Sequence, residues 1–361
     1  MTEYTLDTPQ IAWWMPQIED RGAAIMLSGF ITVPGGASPD RYRITIDGQP
    51  FRNAGYMATQ KPDTLTFRGL LNVAANFGDR NEIALRVVHA ESGEPVRAWD
   101  QFHLARPGQA LDAPLPPAKL TQRAIWTDPR TFEKWGYALK RKLEEAMVPY
   151  LPSSTAELRM LDWGCGAGRM ARYLVHEWKY TGIDIDREAI AWCSENIKGG
   201  TFQLQSLEPN TGFPADTFDA AIGISIFTHL RENDQFAWLK ELSRVVKPTG
   251  IVAVSVCGAT SLANAESEIP VSDILKSRGF CDTGVEATLK GVTADDSYYR
   301  NIYHTHDYIR RNWSRDFEVL DILPGFVGNM QDMVLLRPRR KSFHLELTRQ
   351  EFCRRAVGLE P

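Results

Sequence analysis

Three absences narrow this 361-residue chain before any motif is read. No apolar run approaches the roughly twenty residues that a helix needs to cross a bilayer, in a chain that is 43% hydrophobic. Cysteine is scarce: there are five, an odd number, with no metal-like spacing, which argues against a disulfide framework and a zinc module and favours a reducing, cytoplasmic setting. A basic excess is also missing. At a formal charge of -4, nucleic acid is not the default partner, although a local basic patch stays open. The opening MTEYTLDTPQ has neither a basic nor an apolar region, so no secretory signal is read there. There is no internal repeat. The length favours two domains over one.

The first hundred residues carry short β-rich runs and no helical period: Ala24 to Val33, Tyr42 to Ile46, Thr64 to Phe67, Ile83 to His89 and Val96 to His103. Turn chemistry separates them at Pro34-Gly35-Gly36, Asp47-Gly48 and Glu91-Ser92-Gly93-Glu94. This spacing predicts an antiparallel, immunoglobulin-like sandwich over residues 1–105. Trp13 and Trp14 sit early in it, as a recognition surface or as core. The proline-rich stretch 106–118 reads as a linker. Asp128 as an N-cap and Pro129 at the first helical position then open a long amphipathic helix, with Phe132, Trp135 and Leu139 on one face.

The most informative stretch is RMLDWGCGAGR, Arg159 to Arg169. A short strand ends at Asp162, a loop with glycine at 164, 166 and 168 follows, and a helix is expected from Arg169 to Trp178. Such a loop turns sharply and lets a ligand approach the main chain and the amides of the next helix. The spacing is GxGxG, whereas the dinucleotide fingerprint is GxGxxG. Asp162 before the loop would repel a pyrophosphate and attract an ammonium group. About twenty residues beyond the first glycine, the strand YTGIDID ends in acid suited to ribose hydroxyls. A strand from Phe218 to Ile224, a charged helix from about Glu232 to Val246 and the turn Lys247-Pro248-Thr249-Gly250 before the strand Ile251 to Val256 complete the series.

DWGCGAGR, GIDID, FPADTFDAAIGISIFTHL and VVKPTGIVAVSV, within Arg159 to Pro338, resemble the class I S-adenosylmethionine-dependent methyltransferases. The resemblance implies an α/β, Rossmann-like sheet of seven strands over residues 119–340, its last strand antiparallel in a hairpin of Phe317 to Leu323 with Asp332 to Leu336. It implies S-adenosyl-L-methionine as cofactor. Asp162 would serve the ammonium end, the backbone of Gly164, Cys165, Gly166 and Gly168 would lie against the ligand, and Asp184 would accept both ribose hydroxyls. Ile185 would lie on the adenine, Gly223 and Ile224 along the methionine, and Trp135 over the cofactor unless it is simply core. Where many relatives carry an aspartate for the adenine amino group, this chain reads Gln205-Ser206-Leu207, which leaves Ser206, Leu207 or the Gln205 amide for that contact.

Two clusters are candidates for catalysis. His229, in the run Phe227 to Leu230, is either a base for an acceptor hydroxyl or a structural residue at a helix start. Tyr303 and His304, in YYRNIYHTHDY, lie where such enzymes build an acceptor pocket, and His304-Thr305-His306 fits a helix cap before Asp307 equally well. Their spacing does not suit zinc, and no metal is expected. The acceptor expected from the resemblance is a sugar or glycan hydroxyl, with a small metabolite as the alternative, no nucleic acid, no membrane span, and a homo-oligomer admitted. A retained scaffold that binds cofactor without transfer, and a dinucleotide oxidoreductase, are the competing classes. The charged tail 341–361 is undecided between an extra helix and an interaction segment.

Overall fold

The computed structural model describes residues 5, 7, 11–33, 36, 40–60, 63–97, 100–107, 113–124, 128–151, 157–262, 270–286, 295, 297–328 and 330–339. The tail 341–361, part of the linker, the Pro34-Gly35 turn and the side chain of Trp14 lie outside the described residues.

The N-terminal module contains β1 (Ala12–Asp20), β2 (Ala24–Thr32), β3 (Tyr42–Ile46), β4 (Gln49–Pro50), β5 (Ala54–Ala58), β6 (Thr64–Asn72), a short α1 (Val73–Phe77), β7 (Glu82–His89) and β8 (Phe102–Ala105). They form two four-stranded sheets, β1-β2-β6-β5 and β4-β3-β7-β8, with every pairing antiparallel. Alternation drives this: Ile25, Leu27 and Ile31 of β2 and Ile83, Leu85 and Val87 of β7 point into one shared core. The β3–β4 hairpin turns on Asp47 and Gly48, both at positive φ (48° and 79°), as a two-residue turn requires. Two strands depart from the sequence reading. β1 carries an irregularity between Trp14 and Gln17, so its buried residues Trp13, Met15 and Ile18 break the period of two. β5 is a mostly exposed edge with little apolar pattern.

The core of this module is not closed by its own residues. After α2 (Ala118–Gln122), helix α3 (Pro129–Met147) inserts Phe132, Trp135 and Ala138 into it. Asp128 caps α3 through the amides of Arg130 and Thr131, with Pro129 in its first turn. Further along the same apolar side of α3, Leu139, Leu143 and Met147 pack on the second half of the chain.

That half runs β9 (Arg159–Trp163), α4 (Ala171–Leu174), β10 (Lys179–Asp184), α5 (Arg187–Asn196), β11 (Thr201–Leu204), β12 (Phe218–Gly223), α6 (Glu232–Val245) and β13 (Val246–Cys257). It continues with α7 (Ala259–Leu262), α8 (Val271–Arg278), β14 (Phe280–Val285), β15 (Arg300–His304), α9 (His306–Asn312), β16 (Phe317–Val327) and β17 (Gln331–Pro338). The sheet orders β11-β10-β9-β12-β13 in parallel; β17 then joins β13 antiparallel, with β16 outside it. Strand order reverses between β9 and β12, and α/β sheets bind ligands at such a switch point.

The expected seven strands become nine. The extra pair, β14 and β15, is a hairpin attached to the end of β13 through Cys257 and Tyr303. Its strands are short and their partners far apart in sequence, so no local period announces them. The expected helix from Arg169 to Trp178 shrinks to α4, because the turns around it mix three- and four-residue hydrogen bonds. No helix among the described residues is long and apolar enough to cross a membrane.

A buried ion cluster ties the module to the α/β half. Asp100 accepts Trp13 Nε1, Arg97 and, at 3.1 Å, Lys142 of α3. Arg97 and Lys142 also donate to the carbonyls of Pro324 and Phe326 on β16. Burial alone would raise the Asp100 carboxyl, but Arg97 and Lys142 hold it below its usual value. Removing the shared anion strands two buried cations, so Asp100→Ala should lower the unfolding free energy by about 3–5 kcal/mol. Urea denaturation followed by tryptophan fluorescence measures it, and a loss below about 1 kcal/mol would show that the cluster is not a lock.

Candidate active site

The glycine loop is held from below by β10. The amides of Gly164 and Cys165 donate to the Ile183 carbonyl at 2.8 and 3.1 Å. The amide of Gly166 donates to Asp184 Oδ2 at 2.7 Å, and that of Asp186 to Oδ1 at 2.8 Å. Gly166 has φ +53° and nothing within 4 Å of where a Cβ would stand, so a side chain there would enter open space that the main chain now borders. Gly168 serves packing instead: a Cβ there would lie 2.3 Å from Ile197. The loop, Asp184 and Ile185 line one end of a cavity of about 590 Å³, a size suited to a cofactor and a second ligand.

Not every expected cofactor residue reaches this cavity. Trp135, Gly164, Cys165, Gly166, Asp184, Ile185 and Ile224 line it. Gly168 and Gly223 lie behind the wall, the latter so tight that a Cβ would meet Trp163 at 2.9 Å. Asp162 is buried beneath the loop, where Oδ2 accepts the Tyr180 hydroxyl at 2.7 Å and Oδ1 has no partner among the described residues. Burial pushes its carboxyl up to about 7. Ser206 and Leu207 do not line the cavity. Gln205, one residue earlier, lines the cavity, while its Nε2 turns back to the carbonyls of Glu208 and Asn210 at 3.1 and 3.0 Å. Its Oε1 remains as the acceptor for an amino group. Trp135 does two jobs: it lines the cavity, and its Nε1 donates to the Met15 carbonyl of the module at 2.9 Å.

The catalytic candidates separate. His229 lines the cavity with its ring stacked on Tyr299, centroids 3.9 Å apart. Its Nδ1 stands 2.6 Å from the Arg300 carbonyl, which can only accept, so Nδ1 carries the proton and Nε2 keeps a lone pair. Burial pushes this imidazole down to about 4, so it is neutral at ordinary pH. Tyr303 also lines the cavity, and burial raises its phenol, which stays a donor. His304 does not belong there. It is 1% exposed, packed among Phe280, Tyr308 and Trp313, with Nε2 bonded to Gln235. His306 bridges Asp7 and Asp332, which raise its imidazole to about 9 although burial works the other way, while Thr305 caps α9. Among the described residues no group of three or more His, Cys, Asp and Glu is placed to hold a metal ion.

Several cavity residues escaped the sequence reading. Arg169, directly after the third glycine, makes no hydrogen bond or ion pair among the described residues, and burial lowers its guanidinium to about 10. Its signal was local: a cation directly after the third glycine of the loop. Arg123 of the segment after α2 lines the cavity and pairs with Asp186 and Glu188. Glu286 and Asn301, bonded to each other at 2.9 Å, come from the β14–β15 hairpin. Trp13 is core, 2% exposed, with an edge on the cavity beside Phe102.

Residues 160–250 match the family described as methyltransferase domain. The chain carries a methyltransferase domain, and S-adenosylmethionine is the cofactor that goes with it. The chain is 29% identical over 182 residues to a tRNA (carboxymethyluridine(34)-5-O)-methyltransferase of Arabidopsis thaliana, covering 50% of this chain and 40% of that protein. It is 28% identical over 137 residues to the O-methyltransferase resE of Aspergillus sclerotiorum, covering 36% and 50%. The chain thus spans half or less of the length of these curated relatives. A solved Burkholderia thailandensis 1,6-didemethyltoxoflavin-N1-methyltransferase shares 16% identity over 66% of this chain and 96% of its own, with a TM-score of 0.39, a likeness too distant to bear on function.

The residues present fit this cofactor on the geometry above: an open glycine cradle at Gly166, an acid at the end of β10, an unpaired cation at Arg169 and an orphaned Asp162 oxygen. Asp184→Asn should weaken S-adenosylhomocysteine binding by about 1.5–3 kcal/mol. Burial raises the Asp184 carboxyl to about 6, and only the carboxylate can accept two hydroxyl donors. Wild-type affinity should therefore fall as pH drops through about 6, and the Asn variant should lack that component. Equilibrium dialysis from pH 5 to 8 reads both, and parallel profiles would remove Asp184 from the ribose.

Proposed function

We propose that the whole protein methylates a hydroxyl oxygen of a sugar or glycan, with S-adenosylmethionine as donor. When bound, the cofactor supplies an electrophilic methyl group on sulfur for in-line transfer. What the protein adds is placement and a proton acceptor. Asp184, Ile185 and Gln205 hold the nucleoside end, with Oε1 of Gln205 facing the adenine amino group. The carboxylate of the methionine end is met by Arg169 and its ammonium by the side of the loop above Asp162. At the other end of the cavity, His229 Nε2 takes the proton of the acceptor hydroxyl as oxygen attacks.

The observation that carries this reading is the His229 Nδ1 contact to the Arg300 carbonyl at 2.6 Å, which leaves a neutral imidazole with its lone pair on the atom a base would use. The sugar preference is supported by what surrounds it: Glu286, Asn301 and Gln331 offer polar atoms beside the rings of Tyr298, Tyr299 and Tyr303, a pairing that suits polyhydroxylated rings. A small metabolite hydroxyl is the second reading, since the same groups serve it. The net charge of -4 speaks against a polynucleotide acceptor. We also propose a division near residues 106–118, an immunoglobulin-like topology for the module, whose Trp13 and Phe102 wall the cavity, and a cytoplasmic location in keeping with the odd cysteine count.

The test is S-adenosylhomocysteine release across glycosides, nucleosides and phenols. His229→Ala should lower turnover about 10²–10⁴-fold while cofactor affinity stays within about twofold. Turnover that survives the substitution would reject His229 as base. Cofactor binding with no methylated product from any acceptor class would instead support a non-catalytic scaffold.

A further inference from the structure

The turn that carries His229 is gripped from two sides. On one side β15 runs along it: the Arg300 amide donates to the His229 carbonyl at 3.1 Å and the Ile302 amide to the Thr228 carbonyl at 2.9 Å. On the other side stands Gln235 of α6, 1% exposed. Its Nε2 donates to the carbonyls of Phe227 and Leu230, both at 3.0 Å, so both amide hydrogens are spent on the residues that bracket Thr228 and His229. With its nitrogen so assigned, the amide presents Oε1 to His304 Nε2 at 2.9 Å, and an amide oxygen only accepts. His304 therefore donates from Nε2.

This tautomer has a cost. It leaves His304 Nδ1 as a buried acceptor with no partner. An apolar ring would fill the same place between Phe280, Tyr308 and Trp313 with no orphaned atom. What the imidazole adds over such a ring is a donor for Gln235 Oε1, which anchors the amide in the orientation that the two carbonyls select. If that amide flipped, its oxygen would face two carbonyls and both contacts would become repulsive.

We infer that Gln235 and His304 are positioning residues for His229: His304 anchors the Gln235 amide, and the amide clamps the turn so that the His229 ring meets the Arg300 carbonyl through Nδ1 and offers Nε2 to the cavity. This inference rests on the reading of His229 as the base. His304, attractive in the sequence as a second catalytic histidine, acts through a neighbour and touches no reacting atom.

The test uses the full chain with nitrogen-15-labelled histidine, and it needs neither cofactor nor acceptor. Seven histidines give a tractable spectrum, assigned by single substitution. In the wild type, His229 should show a protonated Nδ1 and a bare Nε2, and His304 the reverse. In Gln235→Met and in His304→Phe, His229 should lose this single tautomer and show exchange between the two forms. His304→Phe is the safer variant for folding, because an aromatic ring is retained in an aromatic cluster. A role confined to core packing would lower the melting temperature and leave the His229 tautomer untouched, and that result in the variants would overturn the clamp alone. A wild-type spectrum with the proton on His229 Nε2 would overturn the base reading and this inference with it.

Discussion

The bond from the Gly166 amide to the Asp184 carboxylate is the constraint on which the site depends. It ties the open point of the glycine loop to the end of the neighbouring strand, so backbone and acid cannot be placed independently. Parallel pairing of β9 with β10 sets the height of the two ends, and the Ile183 carbonyl receives the first two amides of the loop. An acid held by two amides while buried is poised between its states: burial raises it to about 6 and the amides pull it back. The carboxylate is thus already oriented before any ligand arrives.

Around that point the molecule is assembled through one helix. Phe132, Trp135 and Ala138 of α3 fill the core of the N-terminal module, Leu139, Leu143 and Met147 pack on the α/β half, and residues of both sets border the cavity. Trp135 expresses this in a single side chain, hydrogen-bonded to the module and facing the ligand space. The ion cluster of Arg97, Asp100 and Lys142 fastens the same junction. The β14–β15 hairpin adds a further wall and brings Glu286, Asn301 and Tyr303 to the cavity. The cavity is thus bounded by several parts of the chain, the turn between β16 and β17 among them, and only one is the segment that matches the methyltransferase domain family.

What was legible in the sequence was what is local. The loop, Asp184 twenty residues on, the cap at Asp128 and the Asp47-Gly48 turn each depend on a few adjacent residues, and the structure places them as one would read them. Long-range pairing was not legible. β14 and β15 meet across a polar stretch, and β8 starts only at Phe102 because the residues before it turn away to build the ion cluster. Gln205 lines the cavity in place of Ser206 and Leu207, and the chain after β11 folds back under its amide, a matter of three-dimensional closure. His229 and His304 looked alike as sequence; what separates them is burial and the identity of one hydrogen-bond partner each.

The most direct test of this account is a calorimetric titration of the purified protein with S-adenosylmethionine, with NAD as the control. S-adenosylmethionine should bind with micromolar affinity at one site per chain, and NAD should give no heat. Binding of NAD in the absence of S-adenosylmethionine binding would contradict it, because the spacing of the glycine loop and the placement of Asp162 beneath it would then have been assigned to the wrong ligand.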